Sequence, residues 1–389
     1  MQKEILCITH KYPPFVGGME TQSYELMRGL SEFYSVHILA YTGDENKVLW
    51  FLRLPRRVRN ILRKNSNIRL IHLNDGSMGV ASLWLQRFTA IPVIVTYHGL
   101  DITYPLTLFQ KQFVPRLRKY CGAICVSEFT RQECLRRGFD ATTTFTVNNG
   151  VDHHLADIPF DRTIVDKLQN DYGIDVSDKR VIVSTGRPVK RKGFSWFLKN
   201  VMPHLDEDIL FLMIGPLKKE QTVFERLLRM IPGKIGYKLH LLLGFSTDRL
   251  EVIEQLKKQK NAYHLGKVSG EDLMQLLSLA NLFVMPNISI PGDVEGFGLV
   301  ALEASMRGTY VLASAIDGIA DAVVDGKNGS LLPAGDTSAW IDKIHELLSD
   351  EVALQTFSEQ GKEFTRRHFS WKIMTEGYVK IFNRLIDGP

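Results

Sequence analysis

Short apolar runs, each followed by polar residues and a turn, recur along the whole chain of 389 residues. Runs of four to seven apolar residues bounded by glycine or proline predict strands buried on both faces, and apolar spacings of three and four predict helices. The predicted strands cover residues 4–9, 35–40, 68–73, 91–96, 122–126, 179–185, 209–214, 282–285 and 310–313. The predicted helices cover residues 19–30, 299–306 and 371–386.

This alternation of strand and helix predicts an α/β fold with two doubly wound parallel sheets. The length of the chain also suits two domains. We expect residues 1–165 to form the first domain and residues 175–370 the second. Residues 158–177 show no clear period and are expected to contain the linker.

Composition places the chain among ordinary globular proteins, with 44% hydrophobic and 23% charged residues. No run approaches the roughly 20 apolar residues of a membrane-spanning helix. The N-terminal residues lead directly into a predicted strand and lack the form of a signal peptide, so a cytoplasmic location is expected. The four cysteines show no metal-binding spacing and are expected to be free thiols: Cys7, Cys121, Cys125 and Cys134.

The basic excess lies in the N-terminal part, where residues 1–160 carry 19 Lys and Arg against 13 Asp and Glu. Residues 47–69 hold eight of these cations, no acidic residue, and interleaved aromatic and aliphatic side chains such as Trp50 and Leu52. This pattern predicts peripheral contact with an anionic membrane surface. A solvated helix with its apolar face on the domain core is the alternative, and no RNA-binding motif supports contact with nucleic acid.

The strongest chemical signal is a pair of carboxylates, Glu295 and Glu303, with seven residues between them. Glu295 falls in a loop and Glu303 on the predicted helix that follows, so that both can face one cleft. Backbone N–H groups of residues 296–299 (Gly296, Phe297, Gly298 and Leu299) surround the helix start, a position that suits phosphate or sugar oxygens. Carboxylates accept hydrogen bonds from hydroxyls, so the stretch indicates a polyhydroxylated, anionic ligand such as a nucleotide sugar. Two surface glutamates on a strand–turn–helix are the alternative.

Three further loops follow predicted strands. The loop of residues 10–18 ends in Gly17 and Gly18 and precedes a helix, an arrangement that can cradle phosphate but lacks the dinucleotide fingerprint. His98 begins a His-Gly-x-Asp sequence at a strand end, where α/β sheets bind ligands. Residues 186–193 hold four cations, including Arg187 and Lys192, and indicate an anion site. The alternatives are a simple glycine turn, a structural histidine and a solvated basic loop.

The sequence EGFGLVALEA, Glu295 to Ala304, resembles the E-x7-E signature of retaining glycosyltransferases of the GT-B fold, family 4. The resemblance extends over nearly the whole chain and is weakest over residues 41–75 and 217–260. It implies two Rossmann-like domains facing a central cleft, with the last helix, about 371–389, crossing back to the first domain. The chain departs from the family at Gly215-Pro216, in the longer stretch 217–260 with its strand-like run at residues 238–243, and at Ala320-Asp321.

The resemblance also implies roles for individual residues. Glu295 would bind the donor sugar and Glu303 the ribose, and His98 would face the transferred sugar. Arg187 and Lys192 would neutralise the donor diphosphate, against which Gly18, next to Gly17, would lie. The turn that includes Lys267 and Val268 would present its backbone to the nucleobase.

The activity implied is transfer of a sugar, with retention, from a UDP- or GDP-sugar to a glycan or lipid-linked acceptor, in cell-surface polysaccharide or glycolipid synthesis. No cofactor or metal is expected, because cations and backbone dipoles can stabilise the leaving diphosphate. A donor phosphate oxygen would help to deprotonate the acceptor. Two alternatives are a nucleotide-sugar epimerase of the same fold and a non-catalytic, basic membrane- or RNA-binding protein on this scaffold.

Overall fold

A computed structural model describes residues 3–217 and 248–388, which form two compact units. Unit 1 comprises Met1–Gly150, Glu295–Leu299 and Phe369–Pro389, and unit 2 comprises Val151–Val294 and Val300–His368. The strand-like run predicted at residues 238–243 lies outside the described residues, as does most of the longer stretch 217–260.

Each unit contains one parallel sheet, as the sequence predicts, and each sheet has six strands. The strands of unit 1 are β1 (Glu4–Thr9), β2 (Ser35–Ala40), β3 (Ile68–Leu73), β4 (Val93–Tyr97), β5 (Gly122–Cys125) and β6 (Thr144–Thr146). Those of unit 2 are β7 (Arg180–Thr185), β8 (Ile209–Ile214), β9 (Ala262–Gly266), β10 (Leu282–Met285), β11 (Tyr310–Ser314) and β12 (Ser330–Leu332). Apolar side chains on both faces of each sheet pack under helices, which explains the near-continuous apolar runs.

The helices alternate with these strands. Those of unit 1 are α1 (Gly18–Leu30), α2 (Lys47–Lys64), α3 (Gly76–Ala81), α4 (Leu85–Phe88), α5 (Leu100–Thr103), α6 (Val114–Leu117) and α7 (Glu128–Arg136), with a π-helical turn over Phe109–Phe113. Those that follow are α8 (Thr163–Tyr172), α9 (Phe194–Asn200), α10 (Arg249–Leu256), α11 (Gly270–Leu279), α12 (Leu299–Met306), α13 (Ile319–Ala322), α14 (Thr337–Ser349), α15 (Glu351–His368) and α16 (Trp371–Asp387). Single 3₁₀ turns occur at His153–Asp157, Lys190–Lys192 and Met202–His204.

The strand order is β2-β1-β3-β4-β5-β6 in unit 1 and β12-β11-β10-β7-β8-β9 in unit 2. In such sheets the direction of the chain connections reverses at one point, and ligands bind outside the carboxyl ends of the strands there. The reversal lies between β1 and β3 in unit 1 and between β7 and β10 in unit 2. Functional side chains are therefore expected at the carboxyl ends of β1 and β3 in unit 1 and of β7 and β10 in unit 2.

The last helix, α16, completes unit 1 by packing on α1. The two helices approach so closely that a β-carbon at Gly29 would lie 2.3 Å from Oγ1 of Thr375. At the start of α16, a β-carbon at Gly150 would lie 2.2 Å from the carbonyl carbon of Ser370. Glycine is required at both positions because there is no room for a side chain.

Two sequence expectations about the connection between the units need correction. The boundary falls at Gly150 rather than near residue 165, because the segment after it is attached to unit 2. Nη1 of Arg307 donates hydrogen bonds to the carbonyl oxygens of Leu155 and Ile158. The expected linker also contains helix α8, which buries only Ile164 and Leu168 and so leaves a weak apolar period.

Candidate active site

The predicted site residues divide between the two units. Unit 1 holds the glycine loop, His98 and residues 295–299, whereas unit 2 holds the basic loop, the turn after β9 and Glu303. The glycine loop and His98 follow strands β1 and β4 of unit 1, and residues 295–299 lie against His98. The basic loop and the turn after β9 follow strands β7 and β9 of unit 2, and Glu303 lies on helix α12. The predicted positions after the strands and at the helix start are therefore observed, whereas the predicted roles remain predictions.

In unit 1, His98 is held in place at the end of β4. Its Nε2 donates to the carbonyl oxygen of Asn74, 2.9 Å away, which leaves Nδ1 as the acceptor nitrogen of the neutral ring. The partly buried carboxylate of Asp101 accepts hydrogen bonds from the backbone N–H groups of His98 and Gly76, both at 2.8 Å. Burial raises the pKa of Asp101 above its ordinary value, although the neighbouring His98 opposes the shift. The His-Gly-x-Asp sequence thus fixes the histidine by its own aspartate.

Residues 295–299 belong to the same unit and lie against His98. A β-carbon at Gly296 would come 1.9 Å from the carbonyl oxygen of His98, and one at Gly18 would come 3.2 Å from Cδ1 of Leu299. Gly298 has a φ of +99°, in the region that favours glycine. Both glycines of this segment are therefore required by the backbone, one for its conformation and one for close approach.

The other residues of the 295–299 segment and of the glycine loop differ in how far they are exposed to solvent. Phe297 is buried and its ring packs against that of Phe369, whereas Glu295 is partly exposed. Gly17 precedes α1, and a β-carbon there would lie 2.5 Å from Oε2 of Glu20. The carboxylate of Glu20 in turn pairs with Nζ of Lys11 at 3.3 Å. The glycine loop is thus closed by a charged pair that the sequence did not indicate.

In unit 2, the basic loop is built on three tightly packed glycines. Gly193, at φ +67°, would place a β-carbon 1.8 Å from the carbonyl oxygen of Pro286, at the end of β10. A β-carbon at Gly215 would lie 2.1 Å from the carbonyl oxygen of Gly186. Arg187 is exposed and Lys192 partly exposed. The ends of β7, β8 and β10 therefore hold these two cations on a rigid backbone, as an anion site requires.

Glu303 lies in the second turn of α12, as predicted. It keeps some exposed surface, yet dense surrounding protein raises its pKa to about 6 by burial. Among the described residues, no hydrogen bond or ion pair reaches its carboxylate. Such a desolvated acceptor suits a hydroxyl-rich ligand, which would supply the missing hydrogen bonds.

The turn after β9 is hydrogen-bonded to the residue that follows β8, and that residue packs against the basic loop. Gly215 N–H donates to the carbonyl oxygen of Gly266, and Gly266 has a φ of +77° with open space around it. Lys267 is exposed and Val268 is partly buried. The backbone of this turn is thus accessible, as the predicted contact with a nucleobase requires.

Sequence reasoning missed polar residues at both reversal points. In unit 1, His10 follows β1 and Asp75 follows β3, and Nδ1 of the histidine lies 3.1 Å from Oδ2 of the aspartate. In unit 2, Asn287 follows β10, is 1% exposed, and its amide has no hydrogen-bond partner in the described part of the chain. The available signal was a polar residue directly after a buried strand.

An open cavity of about 680 Å³ lies elsewhere in unit 1 against β6 and α16. Its described lining includes Arg131, Phe145, Lys380 and Arg384 but none of the predicted site residues. Arg131 is engaged with the carbonyl oxygen of Thr144, and Arg384 lies over the ring of Phe145 at 5.7 Å. The predicted site residues therefore lie outside the described lining of this cavity.

Helix α2 divides its surface between the core and solvent. Trp50, Leu54 and Val58 are buried in unit 1. The opposite stripe begins with exposed Val48 and Leu52 and continues with three arginines at helical spacing, Arg56, Arg59 and Arg63. The core-facing alternative is thus correct for one face, while the other face retains the basic and apolar character.

Across residues 3–217 and 248–388, helices fall short of the length and apolarity needed to cross a membrane. In the same part of the chain, no group of three His, Cys, Asp or Glu side chains is arranged to hold a metal ion.

Comparison with known families and solved structures identifies the fold as that of a GT-B glycosyltransferase. Residues 167–364 match the family described as glycosyl transferases group 1, and residues 16–155 match glycosyltransferase family 4. The chain belongs to the group 1 glycosyltransferases and is of the family 4 type. The family and fold class predicted from the sequence are therefore confirmed.

Relatives of known sequence and structure extend over most of the chain. A phosphatidyl-myo-inositol mannosyltransferase of Mycobacterium leprae is 26% identical over 88% of this chain and 80% of its own. The capsular polysaccharide biosynthesis glycosyltransferase CapM of Staphylococcus aureus is 24% identical over 94% and 95%. The crystal structure of Anabaena HepE with UDP and glucose matches at a TM-score of 0.72 and 16% identity, covering 97% of this chain and 98% of that one.

Proposed function

We propose that this protein transfers a sugar, with retention of anomeric configuration, from a UDP- or GDP-sugar to a glycan or lipid-linked acceptor. The observation that carries the proposal is the anion cradle of unit 2, where Arg187 and Lys192 stand on glycine turns at the β7–β10 reversal point. A nucleoside diphosphate matches this cradle, because its charge meets the cations. Its ribose hydroxyls match the carboxylate of Glu303.

Transfer rather than binding alone is supported by the groups in unit 1. His98 is fixed through Nε2, so its Nδ1 is free to accept a hydrogen bond from a sugar hydroxyl. Glu295 is the residue before Gly296, and Gly296 packs closely against the backbone of His98. Leaving-group charge on the diphosphate would be stabilised by Arg187 and Lys192 without a metal ion.

The names of the relatives support the acceptor class. The mycobacterial relative acts, by its name, on phosphatidyl-myo-inositol, and CapM takes part in capsular polysaccharide biosynthesis. Peripheral attachment through the exposed stripe of α2 would bring the protein to a lipid-linked acceptor in the membrane. In that stripe the apolar side chains can enter the interface while the arginines face anionic headgroups.

Binding and turnover measurements test the proposal. Differential scanning fluorimetry against UDP-, GDP- and ADP-sugars should reveal one stabilising donor. Incubation of that donor with a membrane lipid extract should give a glycosylated product whose anomeric proton coupling matches the donor, with EDTA causing no loss. Conversion of the donor to an epimer without acceptor would favour an epimerase, and absence of nucleotide binding would favour a non-catalytic protein.

A further inference from the structure

We propose that the acceptor carries a phosphate ester, which Lys47 and Lys11 bind at the start of helix α2. The inference rests on the transferase activity proposed above and names the chemistry of its acceptor. Lys47 is the first residue of α2, and Lys11 is the second residue after β1. Strand β1 lies at the reversal point of the unit 1 sheet, where an open parallel sheet presents groups to a ligand.

Positive charge is concentrated at the start of α2. A helix N-terminus carries a partial positive charge, and the first turn of α2 contains no acidic residue to offset it. Asn46 caps the helix with a neutral side chain that accepts hydrogen bonds from the N–H groups of Val48 and Leu49, at 2.9 and 3.4 Å. A lysine at the first helical position is unfavourable by itself, because its ammonium group and the helix end repel each other. A bound anion would offset this repulsion.

The two lysines are close enough to influence each other. Burial lowers the pKa of Lys47 and the charge of Lys11 lowers it further, although Asp75 and Glu20 act in the opposite direction. Nζ of Lys11 pairs with the carboxylate of Glu20 at 3.3 Å. In the part of the chain that the structure describes, no carboxylate lies within ion-pair distance of Lys47. Its ammonium charge is therefore open to neutralisation by a ligand.

The acidic residues that precede α2 are engaged with other groups. The carboxylate of Glu45 pairs with Arg53 at 2.9 Å and also with Arg57. The carboxylate of Asp44 accepts a hydrogen bond from the hydroxyl of Thr42. Within the described ranges neither carboxylate forms an ion pair with Lys47. An anion that neutralises Lys47 would thus come from outside the described chain.

An aromatic ring, rather than an acid, holds the side chain of Lys47. Its Nζ lies 5.9 Å from the centroid of the Tyr41 ring, which in turn stacks on Phe15 at 5.6 Å. The hydroxyl of Tyr41 donates to the carbonyl oxygen of Glu45 at 3.1 Å and so fixes the ring. A cation–π contact orients an ammonium group without neutralising its charge. Lys47 is therefore positioned in advance for an anionic ligand.

A phosphate ester matches this arrangement better than a carboxylate does. Its several oxygens can meet two ammonium groups and the N–H groups of a helix start at the same time. A phosphate monoester also carries a charge of about −1.5 to −2 near neutral pH, which two cations can balance. A single carboxylate would be balanced by one lysine alone.

Exposed apolar side chains adjoin the two lysines. They are Phe15 and Val16 in the glycine loop and Val48 and Leu52 on α2. The hydrocarbon of a lipid phosphate would lie on these side chains, whereas a soluble polyol phosphate would use the lysines alone. The phosphate is the chemistry that both sources share.

Binding of inorganic phosphate tests the site without turnover. The lysines of the full chain are methylated with ¹³C, and the signals of Lys47 and Lys11 are identified by their loss in K47R and K11R. Both signals should shift as phosphate is added. The control is Lys64, an exposed lysine at the other end of α2, whose signal should stay in place. Because each signal reports one lysine, phosphate bound at the basic loop of unit 2 does not interfere.

Turnover tests the same site with the acceptor. The acceptor recovered from the lipid extract is presented in detergent, before and after enzymatic removal of its phosphate. In K47M we expect kcat/KM for the phosphorylated acceptor to fall about 10- to 100-fold, with the donor KM unchanged. K47R should recover most of this loss, and K64M should match the wild type. The dephosphorylated acceptor should be equally poor with the wild type and K47M.

Deacylation of the acceptor distinguishes the two sources of phosphate. A soluble headgroup phosphate that is still glycosylated requires the lysines alone, whereas loss of transfer would assign the hydrocarbon to the apolar side chains, and F15S should then reproduce that loss. A Lys47 signal that ignores phosphate, or wild-type kcat/KM of K47M on a phosphorylated acceptor, would overturn the inference. A protein that binds phosphate at Lys47 but transfers sugar from no donor would refute the proposed function and leave only the anion site.

Discussion

Gly296 lies directly against His98, and a β-carbon at position 296 would be 1.9 Å from the His98 carbonyl oxygen. G296A must therefore move one of the two backbone segments, and we expect kcat/KM to fall about 100-fold, as for a displacement of about 1 Å in a catalytic site. Steady-state kinetics with donor and acceptor measure the effect. G270A is the control, since nothing lies within 4 Å of a β-carbon there. Equal activity of the two variants would show that the contact does not position the site.

Substitution of Glu295 should affect mainly turnover, whereas substitution of Glu303 should affect mainly nucleotide binding. If Glu295 binds the transferred sugar, E295A should lower kcat strongly while free nucleoside diphosphate still binds. If Glu303 binds the ribose, E303A should weaken that nucleotide by ~1.5–3 kcal/mol, or about 10- to 100-fold. Calorimetric titration with nucleoside diphosphate, beside turnover assays, measures both. Small and equal effects of the two substitutions would contradict the assignment.

Because burial raises the pKa of Glu303, the stability of the protein and its affinity for nucleotide should both change with pH in a direction that can be predicted. Because its pKa in the folded protein is about 6, above the unfolded value near 4.5, its contribution to stability is present below pH 4.5 and lost as pH rises through 6. Relative to E303Q, the wild type should lose at most about 2 kcal/mol of unfolding free energy over this range. Urea unfolding between pH 4 and 8 measures the difference. Nucleotide binding should weaken below pH 6 in the wild type only, and a constant difference between the proteins would be evidence against a shifted carboxyl.

The basic loop predicts a contrast between ligands. R187A and K192A should each weaken nucleoside diphosphate about 10- to 100-fold and leave the nucleoside almost unchanged, since only the diphosphate carries the charge. K199A, an exposed lysine on nearby α9, should change neither ligand. Titration calorimetry with and without EDTA measures these affinities. A loss shared by nucleoside and diphosphate, or a requirement for a divalent cation, would exclude a purely cationic clamp.

The exposed stripe of α2 predicts salt-sensitive binding to anionic vesicles. Each arginine near the surface contributes ~1 kcal/mol, which salt screens. Reversal of Arg56, Arg59 and Arg63 to glutamate should abolish sedimentation with vesicles containing phosphatidylserine and leave nucleotide binding intact. Three glutamate substitutions on exposed unit 2 lysines, at Lys179, Lys257 and Lys260, form the control. Wild-type protein that ignores anionic vesicles at low salt would refute membrane attachment.

The sequence predicted correctly those elements that have an unambiguous local pattern of apolar residues and turns. Strands such as Ile209–Ile214 and the helix Leu299–Met306 have the expected bounds, because fully buried runs and a glycine-marked start leave few alternatives. Helix α8 was missed, since two buried positions in ten residues make a weak period. The sequence left open whether the apolar residues of helix α2 face the core or a membrane, because cations and apolar residues occupy both halves of its length.

The site was predicted less completely for a topological reason. Glu303 and Lys192 belong to contiguous motifs, which sequence displays directly. His10 and Asp75 are far apart in the chain and meet only because β1 and β3 are neighbours in the sheet. No spacing rule encodes that neighbour relation. Likewise, the contact between the His98 carbonyl oxygen and Gly296, which excludes a side chain at position 296, exists only in the folded backbone.

The packing of α16 on α1 also determines the order in which this protein can be completed during synthesis. Leu26, Met27 and Leu30 of α1 share one apolar cluster with Tyr378 and Phe382 of α16. A nascent chain therefore carries unit 1 with an uncovered apolar surface until all of unit 2 has been translated. The unit that is begun first is completed last, so its apolar surface must be protected from aggregation while unit 2 is translated.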